Sequence, residues 1–198
     1  SLRRTVILRA LFAQLGREDI RIEPLRGNLD TRLRKLDEGL YHGIVLAAAG
    51  LKRLGLASRI RFEFDETDML PSAGQGALGI EVLAARADLR AALWPLVDVP
   101  TWVRVSAERA VSRAMGGSCS MPLAAHAVLT GEVLTVRAAW GDPEGQPVLV
   151  QAQAEATLNV PAAQWGSLPD QAALQPLLAQ AAALGDAVAR QLRAGGAR

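Results

Sequence analysis

Residues 20–65, IRIEPLRGNLDTRLRKLDEGLYHGIVLAAAGLKRLGLASRIRFEFD, decide the fold class. Ile20 to Leu25 reads as a short strand, and the RGN turn at 26–28 follows it. Asn28 is suited to cap a helix from about Leu29 to Glu38, which Gly39 closes. The apolar run from Gly43 to Ala49 is too short for a solitary helix and reads as a buried strand. A brief helix over LKRLG and a further strand over RFEFD continue the rhythm. Strands alternating with helices imply a parallel or mixed α/β layer.

Upstream, Ser1 precedes apolar residues at Leu2, Val6, Ile7, Leu11 and Leu15, and Gly16 stops the pattern. This predicts an N-capped amphipathic helix with its positive end beside Ser1. Downstream, MLPSAGQGALGIEV (69–82) breaks the rhythm before a helix-like segment from Ala87 to Val97. Pro95 and Pro100 bracket a domain boundary near residue 99. A helix ending near Gly116, a loop holding Cys119, and strands at 126–128, 133–140 and 147–156 are expected next, with GDPEG as a hairpin turn. The Ala- and Leu-rich tail from about Asp170 to Leu192 predicts a helix packed on that small antiparallel sheet.

Half of the 198 residues are apolar, enough for a substantial core. Lys and Arg number 22 against 20 Asp and Glu. So balanced a charge suggests neither a nucleic-acid partner nor a membrane surface. One cysteine forms no internal disulfide, and no run of about 18 apolar residues spans a bilayer, which fits a reducing cytoplasmic setting. Ser1 opens directly into SLRRTVILRA without a charged leader or cleavage site, as expected of a chain that starts inside a longer polypeptide.

The basic residues crowd toward the first third. Arg3 and Arg4 occupy the opening turn of a helix, where their charge works against the dipole, yet free N–H groups already favour an anion. Guanidinium groups there could clamp a carboxylate with parallel hydrogen bonds, or they could form a solvated basic face. Arg26 and Arg32 flank a strand-to-helix turn, the place where ligands collect in open α/β sheets. Arg34 and Lys35 belong to an outer helix face. GQGALG (74–79) matches a dinucleotide fingerprint only formally, because MLPSA precedes it and β-prone GIEVL follows it; its glycines read as a hinge or a close backbone approach. Cys119, in GGSCSMP, is either an inert apolar residue or an exposed thiol in a small-residue loop. His42 and His126 have no metal-ligand spacing around them and read as structural or surface histidines. No motif for hydrolysis or phosphoryl transfer is present.

Three segments carry a family resemblance. LRGNLDTRLRKLDEGLYHGIVLAAAGLKRLGLASRI (25–60) resembles the porphobilinogen deaminase pattern of RGN, TRL.KLD.G.YD and ILA.AGLKRLG. LPSAGQGALGIEV (70–82) resembles LPA.GQGA.GIE, and ERAVSRAMGGSCSMPLAAHA (108–127) resembles ERA...L.GGC..P...A. The departures are GSC for GGC at 117–119, SMP for QVP, and His42 where Asp is usual.

The resemblance implies a three-domain fold. Residues 1–70 would be most of a binding-protein-like second lobe, a mixed sheet with helices. Residues 71–98 would cross back to the first lobe, and 99–198 would form a small α/β domain with a three-stranded antiparallel sheet. It implies a covalent dipyrromethane cofactor on Cys119 through a thioether. It also implies that Arg3, Arg4, Arg26, Arg32 and Arg53, with Ser1 at the same anion-binding helix, hold the carboxylates of porphobilinogen and the growing polypyrrole chain. The enzyme of this resemblance joins porphobilinogen units with loss of ammonia and releases hydroxymethylbilane. No residue here inherits its assisting aspartate, which belongs to an amino-terminal domain absent from this sequence. The chain by itself is thus expected to be inactive, and the complete protein monomeric. The competing readings are a noncatalytic module for a small dicarboxylate and a purely structural domain.

Overall fold

The computed structural model describes residues 1–17, 19–118, 120–159 and 171–198. Helix α1 (Leu2–Gln14) begins at Ser1, whose side chain accepts from Arg4 N, and α2 (Leu29–Asp37) begins at Asn28, which accepts from Thr31 N at 2.9 Å. These caps satisfy N–H groups that have no partner within the helix. Helix α3 (Ala48–Arg53) is short, and α4 (Ala87–Leu93) runs into a 3₁₀ turn at Trp94–Leu96. Helix α5 (Val99–Ala114) is capped by Asp98, which accepts from Thr101 N at 2.8 Å, and carries Pro100 in its first turn, where no N–H is missed.

Strands β1 (Leu123–Thr130), β2 (Val133–Gly141) and β3 (Leu149–Thr157) form an antiparallel sheet in that order, with Ala127 opposite Val136 and Ala138 opposite Ala152. Helix α6 (Gln171–Ala194) follows. Leu123, Ala125, Ala127, Leu134, Val136 and Ala138 alternate onto one face of the sheet and meet Val103, Ala107 and Val111 of α5 and Ala181, Val188 and Leu192 of α6. The opposite face carries Ala124 and Ala139, which pack with Val6 and Ile7 of α1 and with Leu70. The sheet is therefore covered on both sides. Arg9 extends the α1 contact by donating to the carbonyls of Pro143 (2.5 Å) and Gly145 (2.8 Å) in the β2–β3 turn. At the crossing of α5 and α6 a Cβ on Gly185 would lie 2.2 Å from the Ala107 carbonyl oxygen. The two backbones touch because that side chain is absent.

The strands expected at 20–25, 43–49 and 61–65 do not form among the described residues. The segments 20–25 and 61–65 join no sheet, and Ala48 and Ala49 belong to α3. The mixed sheet expected within 1–70 is therefore not seen. Apolar alternation marks a segment that can join a sheet, but a strand exists only when another chain segment receives its N–H and C=O groups. Phe62 and Phe64 stack edge-on at 5.1 Å instead, and Phe62 stays exposed.

Candidate functional site

Pro71, in the segment leading out of the 65–70 turn, lies along the outer edge of β1 and accepts from Ala125 N at 3.0 Å. Edge strands need such cover. The buried Glu108 of α5 completes it: one carboxylate oxygen accepts from Ala127 N at 2.9 Å and the other from Gly74 N at 2.7 Å. The segment 70–75 is thus fixed beside the start of α1 and the end of α5.

Between these elements lies a cavity of about 460 Å³. Ser1, Arg3 and Arg4 line it from the start of α1, Ser72 and Gln75 from the edge segment, and Ser112, Gly117, Ser118 and Met121 from the end of α5 and the loop beyond. Its size falls within the roughly 300–1,000 Å³ of small-molecule sites.

The cavity is positively charged. Arg3 is only 8% exposed and donates to the Leu70 carbonyl at 2.6 Å. Burial, and then the neighbouring Arg4 charge, pull its pKa down to about 10, so it stays cationic at neutral pH. Arg3, Arg4 and Arg32 all lie close enough to Ser1 for their charges to act there, which places those three cations in one neighbourhood. The Arg32 Nε is buried without a hydrogen-bond partner. Among the described residues no carboxylate pairs with Arg3, Arg4, Arg26, Arg32 or Arg53.

Of the residues singled out from sequence, the cavity brings Ser1, Arg3 and Arg4 together, and Arg32 is close to Ser1. Arg26 and Arg53 are exposed and are not among its lining residues. Gly27, between Arg26 and α2, has φ +124°, and a Cβ there would press on Thr31 at 3.0 Å. Cys119 lies outside the described residues. Its neighbours Ser118 and Ser120 share a 2.6 Å hydroxyl–hydroxyl hydrogen bond. Sequence reasoning missed Ser72, Gln75, Ser112 and Ser118 as cavity residues, since isolated serines carry no spacing signal, and it read Gln75 only as part of a hinge. It also missed the role of Glu108. His126 was read as structural or surface, yet its Nε2 lies 3.0 Å from Glu66 and its Nδ1 lies 3.5 Å from Glu108. Among the described residues no three His, Cys, Asp or Glu side chains gather as a metal site, and no helix is long and apolar enough to cross a membrane.

Residues 1–91 match the family model described as porphobilinogen deaminase, dipyromethane cofactor binding domain, and residues 102–167 match that of the porphobilinogen deaminase C-terminal domain. A porphobilinogen deaminase of Albidiferax ferrireducens is 59% identical over 194 residues, 98% of this chain and 55% of that protein. One from Burkholderia thailandensis is 52% identical over 199 residues, 100% of this chain and 53% of its own length. One from Bordetella parapertussis is 56% identical over 149 residues, 75% of this chain and 46% of that protein. The chain spans about half the length of the curated relatives it matches. With both family models aligned in order along it, the chain belongs to the porphobilinogen deaminase family.

Proposed function

We propose that this chain is the part of a hydroxymethylbilane synthase that carries the dipyrromethane cofactor on Cys119 and receives porphobilinogen units. One observation carries the proposal: a single cavity is lined both by Arg3 and Arg4 at a helix N-terminus and by Gly117 and Ser118, next to Cys119 in the chain. An arginine-rich pocket without a paired carboxylate suits a ligand that brings its own carboxylates.

The donor set fits the cofactor, whose pyrroles each bear an acetate and a propionate. Arg3 uses one Nη1 hydrogen bond on Leu70 and has further N–H groups to offer, while the Arg4 side chain forms no ion pair among the described residues. The first N–H groups of α1 add a fixed positive end. Ser72, Ser112, Ser118 and Gln75 supply neutral donors and acceptors that orient a ligand without adding charge. Arg26, Arg32 and Arg53 are assigned to carboxylates of the longer polypyrrole, consistent with their forming no ion pair among the described residues. When bound, the cofactor supplies the pyrrole end to which porphobilinogen is joined with loss of ammonia, before hydroxymethylbilane is released. The residues of this chain hold and neutralise carboxylates; no carboxylate among the described residues lines the cavity to serve as the assisting acid.

We assign residues 1–70 to a binding-protein-like lobe, 71–98 to a crossover segment and 99–198 to the cofactor-bearing domain of a cytoplasmic, monomeric enzyme. The aspartate that assists ammonia loss would come from an amino-terminal domain, and the chain alone would be inactive. Leu78 (91% exposed), Ile80 and Leu83 in the crossover support this reading, because so apolar a stretch suits burial against another domain. The test is a colour assay with acidic aldehyde reagent on chain purified from cells that make porphobilinogen, with Cys119→Ser alongside. A pyrrole colour in the parent and none in Cys119→Ser supports the proposal. Equal colour in both, or none in either, removes it.

A further inference from the structure

We propose that Glu66, His126 and Glu108 form a proton-controlled latch that holds segment 66–75, one wall of the cavity, against the edge of β1. The three groups come from three elements. Glu66 belongs to the turn before the edge segment, His126 to β1 and Glu108 to α5. The His126 ring stands between two carboxylates, with Nε2 at 3.0 Å from Glu66 and Nδ1 at 3.5 Å from Glu108. Only the protonated imidazole has a donor on each nitrogen, so only that form serves both partners at once. The neutral ring must release one of them.

Release falls on Glu66, because Glu108 is 5% exposed and is already held by Gly74 N and Ala127 N. Glu66 is exposed and has no other ion pair among the described residues. The segment that follows it carries Leu70, the acceptor of Arg3, and Pro71, the acceptor of Ala125 N, before reaching Ser72 and Gln75 in the cavity. A loosened Glu66 therefore loosens the wall from its far end.

Other charged groups near this ring leave the assignment intact. Arg137 is the register partner of His126 on β2. On α5, Arg104 is bonded to Pro100 and Thr101, and Arg109 is exposed. In the 65–70 turn, Asp65 accepts from Thr67 and Asp68 N, leaving Asp68 as the remaining acid. On α1, Arg3 and Arg9 are engaged by backbone carbonyls. Glu108 chiefly, and Glu66 after it, raise the His126 pKa against the opposing effect of burial. The latch stands on this geometry whether or not the cavity binds pyrroles.

The test is NMR on the whole 198-residue chain. The His126 ring titration is followed together with exchange of the Gly74 and Ala127 amides, corrected for the intrinsic pH dependence of exchange. The expected result is a His126 midpoint above the ordinary value of about 6.5. Corrected Gly74 exchange should rise through the same midpoint, by about tenfold for each unit by which Glu66→Gln lowers that midpoint. In Glu66→Gln the midpoint should fall and the exchange profile should flatten. An ordinary or lowered midpoint, Gly74 exchange that ignores the titration, or an unchanged midpoint in Glu66→Gln would each overturn the latch. The first two readouts need no variant, so a poorly folding substitution does not leave the idea untested.

Discussion

Gly185→Ala places one methyl group at the tightest point of the molecule. Built on the existing backbone, its Cβ would lie 2.2 Å from the Ala107 carbonyl oxygen, 3.0 Å from the Ala107 carbonyl carbon and 2.8 Å from the Ala110 Cβ. All three belong to α5, and two are backbone atoms that no rotamer change can move. The helices must part by roughly 1 Å to reach an ordinary contact distance, which thins the packing of Ala181 and Val188 against Ala107 and Val111. Overpacking of this kind costs about 1–3 kcal/mol, and contact with backbone selects the upper end. Alanine returns about 1 kcal/mol through helix propensity. The net loss is about 2 kcal/mol, or roughly 4–8 °C in Tm for a chain of this size. Urea unfolding followed by circular dichroism measures it, with Gly50→Ala as the control, since a Cβ at Gly50 of α3 meets nothing within 4 Å. A Gly185→Ala chain as stable as the parent would refute the close α5–α6 contact.

Glu108→Gln should cost about 2 kcal/mol in the same assay, because one of the two backbone donors that Glu108 accepts would face an amide NH₂ in a buried site. Arg9→Met keeps the aliphatic contact and removes hydrogen bonds to the β2–β3 turn; denaturant unfolding should show a loss of about 1–2 kcal/mol, and hydrogen exchange should quicken in α1. The raised His126 pKa also sets a sign for pH. Its stabilising contribution is complete below the unfolded value of about 6.5 and is lost as pH rises through the higher folded value, so urea midpoints should decline across that interval in the parent and lose this component in His126→Gln.

Capped helices and the hairpin were legible because their signals are local. Ser1 and Asn28 stand immediately before their helices, GDPEG lies at the β2–β3 turn, and β2 was expected over 133–140 and is found over Val133–Gly141. The segments 20–25 and 61–65 misled because alternation reports which side chains could be buried, while pairing depends on a second edge far away in the chain or outside it. At the site, Arg3 and Arg4 were legible as cations placed against a helix dipole. Their convergence with Ser112 and Ser118 was not, since it depends on α1 crossing to the sheet of residues 123–157 through Val6 and Ile7. Glu108 hid within an otherwise ordinary helical pattern, and only its two backbone partners reveal what it does.

Whether Cys119 is the anchor is decided most directly by the intact mass of the purified chain, followed by peptide mapping across 114–137. An increment of two linked pyrroles, each with its acetate and propionate, located on Cys119 is the result expected of a cofactor-bearing chain. An increment located on another residue, or a chain made in porphobilinogen-producing cells whose Cys119 remains a free thiol, would contradict it.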